Sequence, residues 1–92
     1  MRFKAGSLAV SGAATQLSDT KDRVKVLDVT ARAGNKGNIY FGDSDVSTTN
    51  GKELRPTDNA KVNCGDGSVL FEGFYAVGTD SGDYLDWMAV IA

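Results

Sequence analysis

Hydrophobic positions along this chain recur at every second residue, not every third or fourth, and the runs that carry them are short. The last run is the clearest. Across residues 84–91, Leu85, Trp87, Ala89 and Ile91 alternate with Tyr84, Asp86, Met88 and Val90. The wholly apolar set is expected to face a core, and the mixed set to stand half exposed. Residues 23–32 make the best strand of the first half, with Val24 and Val26 on one face and Leu27, Val29 and Ala31 on the other. That change of phase predicts either a β-bulge or burial on both sides. Shorter strands are predicted as a pair within residues 8–17, then at 38–42, 60–64, 69–71 and 74–77. Between them lie turn signals: Ser11-Gly12, Ser18-Asp19, Gly34-Asn35-Lys36-Gly37, Asn50-Gly51, Gly65-Asp66-Gly67 and the loop at 78–83. The single proline, Pro56, marks an edge or a strand end, and Val46 is expected to turn back toward the core. The sum is about 7–9 short strands in an all-β chain: a small antiparallel β-sandwich or barrel, jelly-roll-like.

Length and composition narrow this further. Ninety-two residues suit a single domain over 1–92, and a core of that size gains from burial against a partner. Residues 1–5 are basic and apolar by turns, and are expected to be a flexible N-terminal arm; the competing reading has Met1, Arg2 and Phe3 reaching a neighbouring surface. Net charge is −2 and the charges are well mixed, so no basic stripe exists to displace counterions from nucleic acid. No apolar run approaches a membrane span, and Leu8 to Val10 is too brief for the apolar region of a secretory signal. A soluble chain made in a cytoplasm is expected. Cys64 is the only cysteine, which rules out an internal disulfide and suits a reducing compartment.

Catalytic constellations are hard to assemble. There is no histidine to activate Cys64 or any serine. Gly34-Asn35-Lys36-Gly37 lacks the spacing of a phosphate loop. Asp43 with Asp45, Asp66, and Asp80 with Asp83 invite a calcium reading, but none supplies the full set of oxygens; such acids ordinarily close turns by accepting from backbone amides. Paired carboxylates also serve glycosidases, though so small a sandwich leaves little room for a sugar cleft. No enzyme, no metal and no cofactor are expected. Of the aromatics, Phe71, Trp87 and one of Tyr40 or Phe41 are expected in the core. The adjacent pairs Tyr40-Phe41 and Phe74-Tyr75 must point to opposite faces, so one ring of each is exposed or covered from outside the sheet. Tyr75 is therefore a partner-binding candidate alongside Met1, Arg2 and Phe3.

Residues 38–56 read Asn-Ile-Tyr-Phe-Gly-Asp-Ser-Asp-Val-Ser-Thr-Thr-Asn-Gly-Lys-Glu-Leu-Arg-Pro. This stretch resembles a recurring segment of small β-structured virion proteins of tailed bacteriophages: Ile-Tyr-x-Gly, then Asp-Ser-x-Val, Asn-Gly and Leu-x-Pro. Residues 74–87, with Phe74-Tyr75-Ala76-Val77-Gly78, Gly82-Asp83 and Leu85-Asp86-Trp87, are similar to the closing hairpin of those proteins. The similarity covers the C-terminal half well and the N-terminal third only in general character. It implies a capsid decoration or cement protein on the virion surface, with the major capsid protein as partner and a homo-oligomer, most often a trimer, as the working unit. The alternative it implies is a receptor- or glycan-binding module of a fibre or tail. Tyr40, Gly42, Val46, Gly51, Leu54 and Trp87 match the pattern and are its fold determinants; it transfers no active site. The chain departs from the pattern where Thr57-Asp58 follows Pro56 in place of glycine.

Overall fold

The structure, a computed structural model, describes residues 2–92. Nine strands form in chain order: β1 (Arg2–Ala9), β2 (Thr15–Gln16), β3 (Arg23–Ala31), β4 (Ile39–Gly42), β5 (Lys52–Leu54), β6 (Asn59–Asn63), β7 (Val69–Leu70), β8 (Tyr75–Gly78) and β9 (Tyr84–Ile91). One 3₁₀ turn, Phe71–Gly73, interrupts the run between β7 and β8. One sheet has the order β1-β9-β3-β6, with β7 also pairing β3; the other is β2-β8-β4-β5. Every pairing is antiparallel. With the two-residue β7 set aside, eight strands make two four-stranded sheets in the order of a jelly roll, the chain crossing between sheets at every connection except the β4–β5 hairpin.

Alternation along the strands builds the core between the sheets. Leu27, Val29, Ala31, Leu85, Ala89 and Ile91 from the larger sheet meet Ile39, Phe41, Leu54 and Ala76 from the smaller, closed by Val10, Leu17 and Phe71. The phase change in β3 is a bulge: the register against β9 slips between Val24 and Val26. The extra residue lets Val24 and Leu27 both face inward, where each is fully buried. An aromatic line crosses the sandwich. Phe41 stacks on Phe74 at 5.7 Å, Phe74 meets Phe71 edge-on at 6.5 Å, and Phe71 meets Trp87 edge-on at 4.9 Å.

Two expectations change. The flexible arm at residues 1–5 is, from Arg2 onward, the first half of β1, paired with β9 from Arg2 opposite Ile91 to Ala9 opposite Tyr84; Met1 lies outside the described residues. The periodicity of β1 was hidden by charges on its inward side. Val46 is buried, yet it stands outside the core between the sheets. Tyr40 and Gly42 point away from that core, and the loop after β4 folds Val46 onto them. Gly42 and Gly51 leave it room: a Cβ on Gly51 would come within 2.6 Å of Val46 Cγ2 and 2.9 Å of Tyr40 Cβ. At the departure from the phage pattern, Asp58 N–H donates to Arg55 C=O across Pro56-Thr57, and Thr57 takes φ +76°. This is a turn whose third position favours glycine, so a β-branched residue holds it under strain of roughly 1–3 kcal/mol.

Candidate interaction surface

The pairing of β1 with β9 and of β9 with β3 decides what shares the outer face of the larger sheet. Side chains alternate, so Phe3, Ala5, Ser7 and Ala9 of β1 point outward beside Val90, Met88, Asp86 and Tyr84 of β9. On the far side of β9 stand Val26, Asp28, Thr30 and, one residue past the strand, Arg32. Two cross-strand rows are apolar at their β1 end: Phe3-Val90-Val26 and Ala5-Met88-Asp28. Phe3 is 68% exposed and Met88 51%, unusual for large apolar side chains grouped on one face of a sheet.

The other half of the face is polar and internally bonded. Arg32 donates to both oxygens of Asp86 (2.7 and 3.2 Å), and Ser7 Oγ donates to Asp86 Oδ1 at 2.6 Å. The Arg32 guanidinium also lies 4.3 Å from the centre of the Tyr84 ring. A shallow hollow of about 250 Å³ separates the halves, lined by Asp28, Thr30, Asp86, Trp87 and Met88. An exposed aromatic and a methionine on one half of the face, beside an internally bonded polar half, are side-chain types enriched at protein-binding patches.

The inward side of β1 carries the strand's two cations. Arg2 and Lys4 both bond to Asp22, at 3.1 and 2.5 Å. Gly6 lies under the indole of Trp87, where a Cβ would fall 2.7 Å from Cζ2. The close fit leaves the Trp87 N–H buried with no acceptor among the described residues.

Of the residues offered by the sequence for partner binding, Phe3 heads the patch. Arg2 is on the opposite side of its strand, tied to Asp22. Tyr75 sits half-buried on β8, beside Gln16 and Gly42, on the other sheet. It does not join Phe3. Met88, Val90 and Val26 complete the patch; the alternation of β9 marks Met88 and Val90 as half exposed, but nothing local places Phe3 next to them. The acids weighed as metal ligands do not converge: among the described residues, no group of three or more acidic or cysteine side chains is placed to hold an ion. Asp43 accepts from Asp45 N–H at 2.9 Å, and Asp83 from the N–H groups of Lys36 and Gly37.

Two of the surface carboxylates titrate unusually. The Arg32 hydrogen bonds, helped by Ser7, hold Asp86 below the usual 3.8, against the opposing effect of burial. The bond from Lys4, also opposed by burial and aided by Arg2, does the same for Asp22. A folded-state pKa below the unfolded one stabilises the fold above the unfolded value, and that contribution is lost as pH falls through the folded value. Stability is therefore expected to be level from neutral pH down to about 5 and to fall below about 4. Urea titrations across pH 2–7 should show a shallower acid limb for the double variant Asp22→Asn/Asp86→Asn. An acid limb as steep as that of the parent would remove these two carboxylates from the account.

No family model, no curated protein and no solved structure matches this chain.

Proposed function

We propose that this chain is a structural virion protein that binds the outer surface of a bacteriophage capsid and stabilises it, as a decoration or cement protein. The observation that carries this reading is the Phe3–Met88–Val90 patch, an apolar surface fixed on two paired strands and bordered by the Arg32–Asp86–Ser7 network. The resemblance of residues 38–56 to phage virion proteins supplies the partner, the major capsid protein. The jelly-roll order of strands is used by viral capsid and lectin domains, so it accords with this reading without selecting it.

The mechanism is mechanical. Each copy covers Phe3 and Met88 against the capsid, and the bordering polar groups set its orientation. Many copies spread over joints between capsid subunits add contacts that expansion or heating must break.

Purified protein added to undecorated, expanded capsids is expected to bind at fixed stoichiometry and to raise their heat resistance. The double variant Phe3→Ser/Met88→Ser should fold normally and lose at least about tenfold in affinity, since truncated anchor side chains at such patches cost about 1–2 kcal/mol or more. No saturable binding by the parent protein would reject the proposal. Labelling of host cells or of a glycan array in its place would favour the fibre or tail module.

A further inference from the structure

A β-sandwich of two open sheets has four edges, and three of these are blunt. β2 is two residues long; β5 is three and runs into Pro56; β6 presents Asn59, Lys61 and Asn63. Short strands, proline and exposed lysine are the usual guards against edge-to-edge pairing. β1 has none of them. It runs for eight residues without proline or bulge, and its two cations are already paired with Asp22.

The hydrogen bonds show which backbone groups of β1 are free. Arg32 N–H donates to Tyr84 C=O and Ala92 N–H to Arg23 C=O, so the even-numbered residues of β9 bond toward β3. The odd-numbered ones, Leu85 to Ile91, must bond toward β1, where they face its even-numbered residues. Val10 N–H donating to Asp83 C=O continues the same parity. The N–H and C=O groups of Phe3, Ala5, Ser7 and Ala9 therefore point out of the sheet, and no described segment bonds to them.

We infer that this edge pairs with the β1 edge of a second copy of the chain, antiparallel about a twofold axis at Gly6. In that register Phe3 faces Ala9 of the other copy, and Ala5 faces Ser7. Every free donor and acceptor of the four residues is then used. Neighbouring strands approach most closely at a non-hydrogen-bonded pair, about 4.5 Å between Cα atoms. Here that pair is Gly6 with Gly6, so no side chains meet on the axis. On the outer face the large Phe3 lies against the small Ala9, one strand from the exposed Tyr84. Charge selects the antiparallel sense: it sends the Arg2–Lys4 ends of the two strands to opposite ends of the interface, where a parallel pair would set Arg2 beside Arg2. The two larger sheets become one continuous sheet with an apolar row that runs from Val26 through Val90 and Phe3 to Tyr84 of the second copy. A closed pair takes the place of the trimer implied by the resemblance. The inference stands apart from the capsid reading, because the pairing needs only the protein itself.

The test uses the purified protein without capsids. Sedimentation over a series from roughly 1 μM to 1 mM, a span that covers affinities of about −8 to −4 kcal/mol, is expected to show conversion from monomer to dimer. Over the same series, amide exchange at Phe3, Ala5, Ser7 and Ala9 should slow by about tenfold or more, while the edge amides of β5 and β6 stay unchanged. In a Cys64→Ala background, Phe3→Cys protein mixed with Ala9→Cys protein should form a disulfide between the two, since hydrogen-bonded pairs stand at a Cα separation of about 5.5 Å that a disulfide spans. Ala5→Pro removes an N–H that the monomer does not use, and should abolish the dimer while leaving the fold's circular dichroism intact. A monomer mass at all concentrations, a threefold particle, or preferential cross-linking of Phe3→Cys to itself would overturn the inference.

Discussion

Phe71→Ala is expected to lower stability by about 3–5 kcal/mol, the usual loss for a large ring removed from a close-packed core. Phe71 has no solvent exposure and is one of the two inner rings of the line from Phe41 to Trp87, touching both Phe74 and Trp87 edge-on. Neither neighbour can fill the space easily: Phe74 is held by its stack on Phe41, and Trp87 by the contact of its indole with Gly6. A chain of this length has roughly 5–14 kcal/mol in total, so the variant keeps only a fraction of it. Each kcal/mol is worth about 4–8 °C at this size, which places the fall in melting temperature at roughly 12–40 °C. Phe3→Ala removes the same ring from the outer face and should change stability by no more than about 0.5 kcal/mol. Calorimetry on the two variants separates a residue that holds the sandwich together from one kept for a partner. Similar losses at both positions would count against the patch as a free surface.

Asp83→Ala should be the next most damaging change, at about 3 kcal/mol, because hydrogen bonds to a charged group are each worth about 1.5–3 kcal/mol and water recovers only part of the loss. Asp83 is the one buried charged side chain among the described residues, at 6% exposure. One carboxylate oxygen accepts from Lys36 N–H at 3.0 Å; the other accepts from Lys36 N–H at 3.1 Å and from Gly37 N–H at 2.8 Å. The two loops it joins, β3 to β4 and β8 to β9, both cross from one sheet to the other at the same end of the sandwich. Asn38 and Thr79 join them a second time, through Asn38 N–H to Thr79 Oγ1 at 3.0 Å and Thr79 N–H to Asn38 C=O at 3.1 Å. Asp83→Asn keeps an accepting oxygen and should cost about half as much as alanine. Chemical denaturation of both variants reads this directly; an alanine variant within about 0.5 kcal/mol of the parent would mean that solvent replaces the carboxylate without loss.

The outer-face patch shows how far the linear pattern reaches. The period of two in residues 84–91 is enough to name Met88 and Val90 as half exposed, and the apolar set opposite them as core. The shift in phase between Val24 and Leu27 was equally visible, but it fitted a bulge or burial on both sides, and only the register against β9 selects the bulge. Residues 2–5 were not legible as a strand. Arg2 and Lys4 occupy inward positions, and only Asp22, some twenty residues on, makes that tolerable. Val46 was recognisable as buried, but its burial on the outside of a sheet depends on space left by Gly42 and Gly51, and a missing side chain leaves no mark in a hydrophobic pattern.

What the chain determines by itself is local: strand period, turn chemistry, the change of phase in β3, and which side of the last strand is apolar. These follow from alternation and backbone preference over a few residues, and they suffice for an all-β sandwich. Which strands become neighbours was decided only in the folded molecule. The first strand lies against the last, and that one pairing sets Phe3 beside Val90, Ser7 beside Asp86 and the free edge of β1 at the rim of the larger sheet. Contacts between residues so far apart in the chain are chosen by competition among all possible pairings for the same buried area, and no short window of sequence contains that competition.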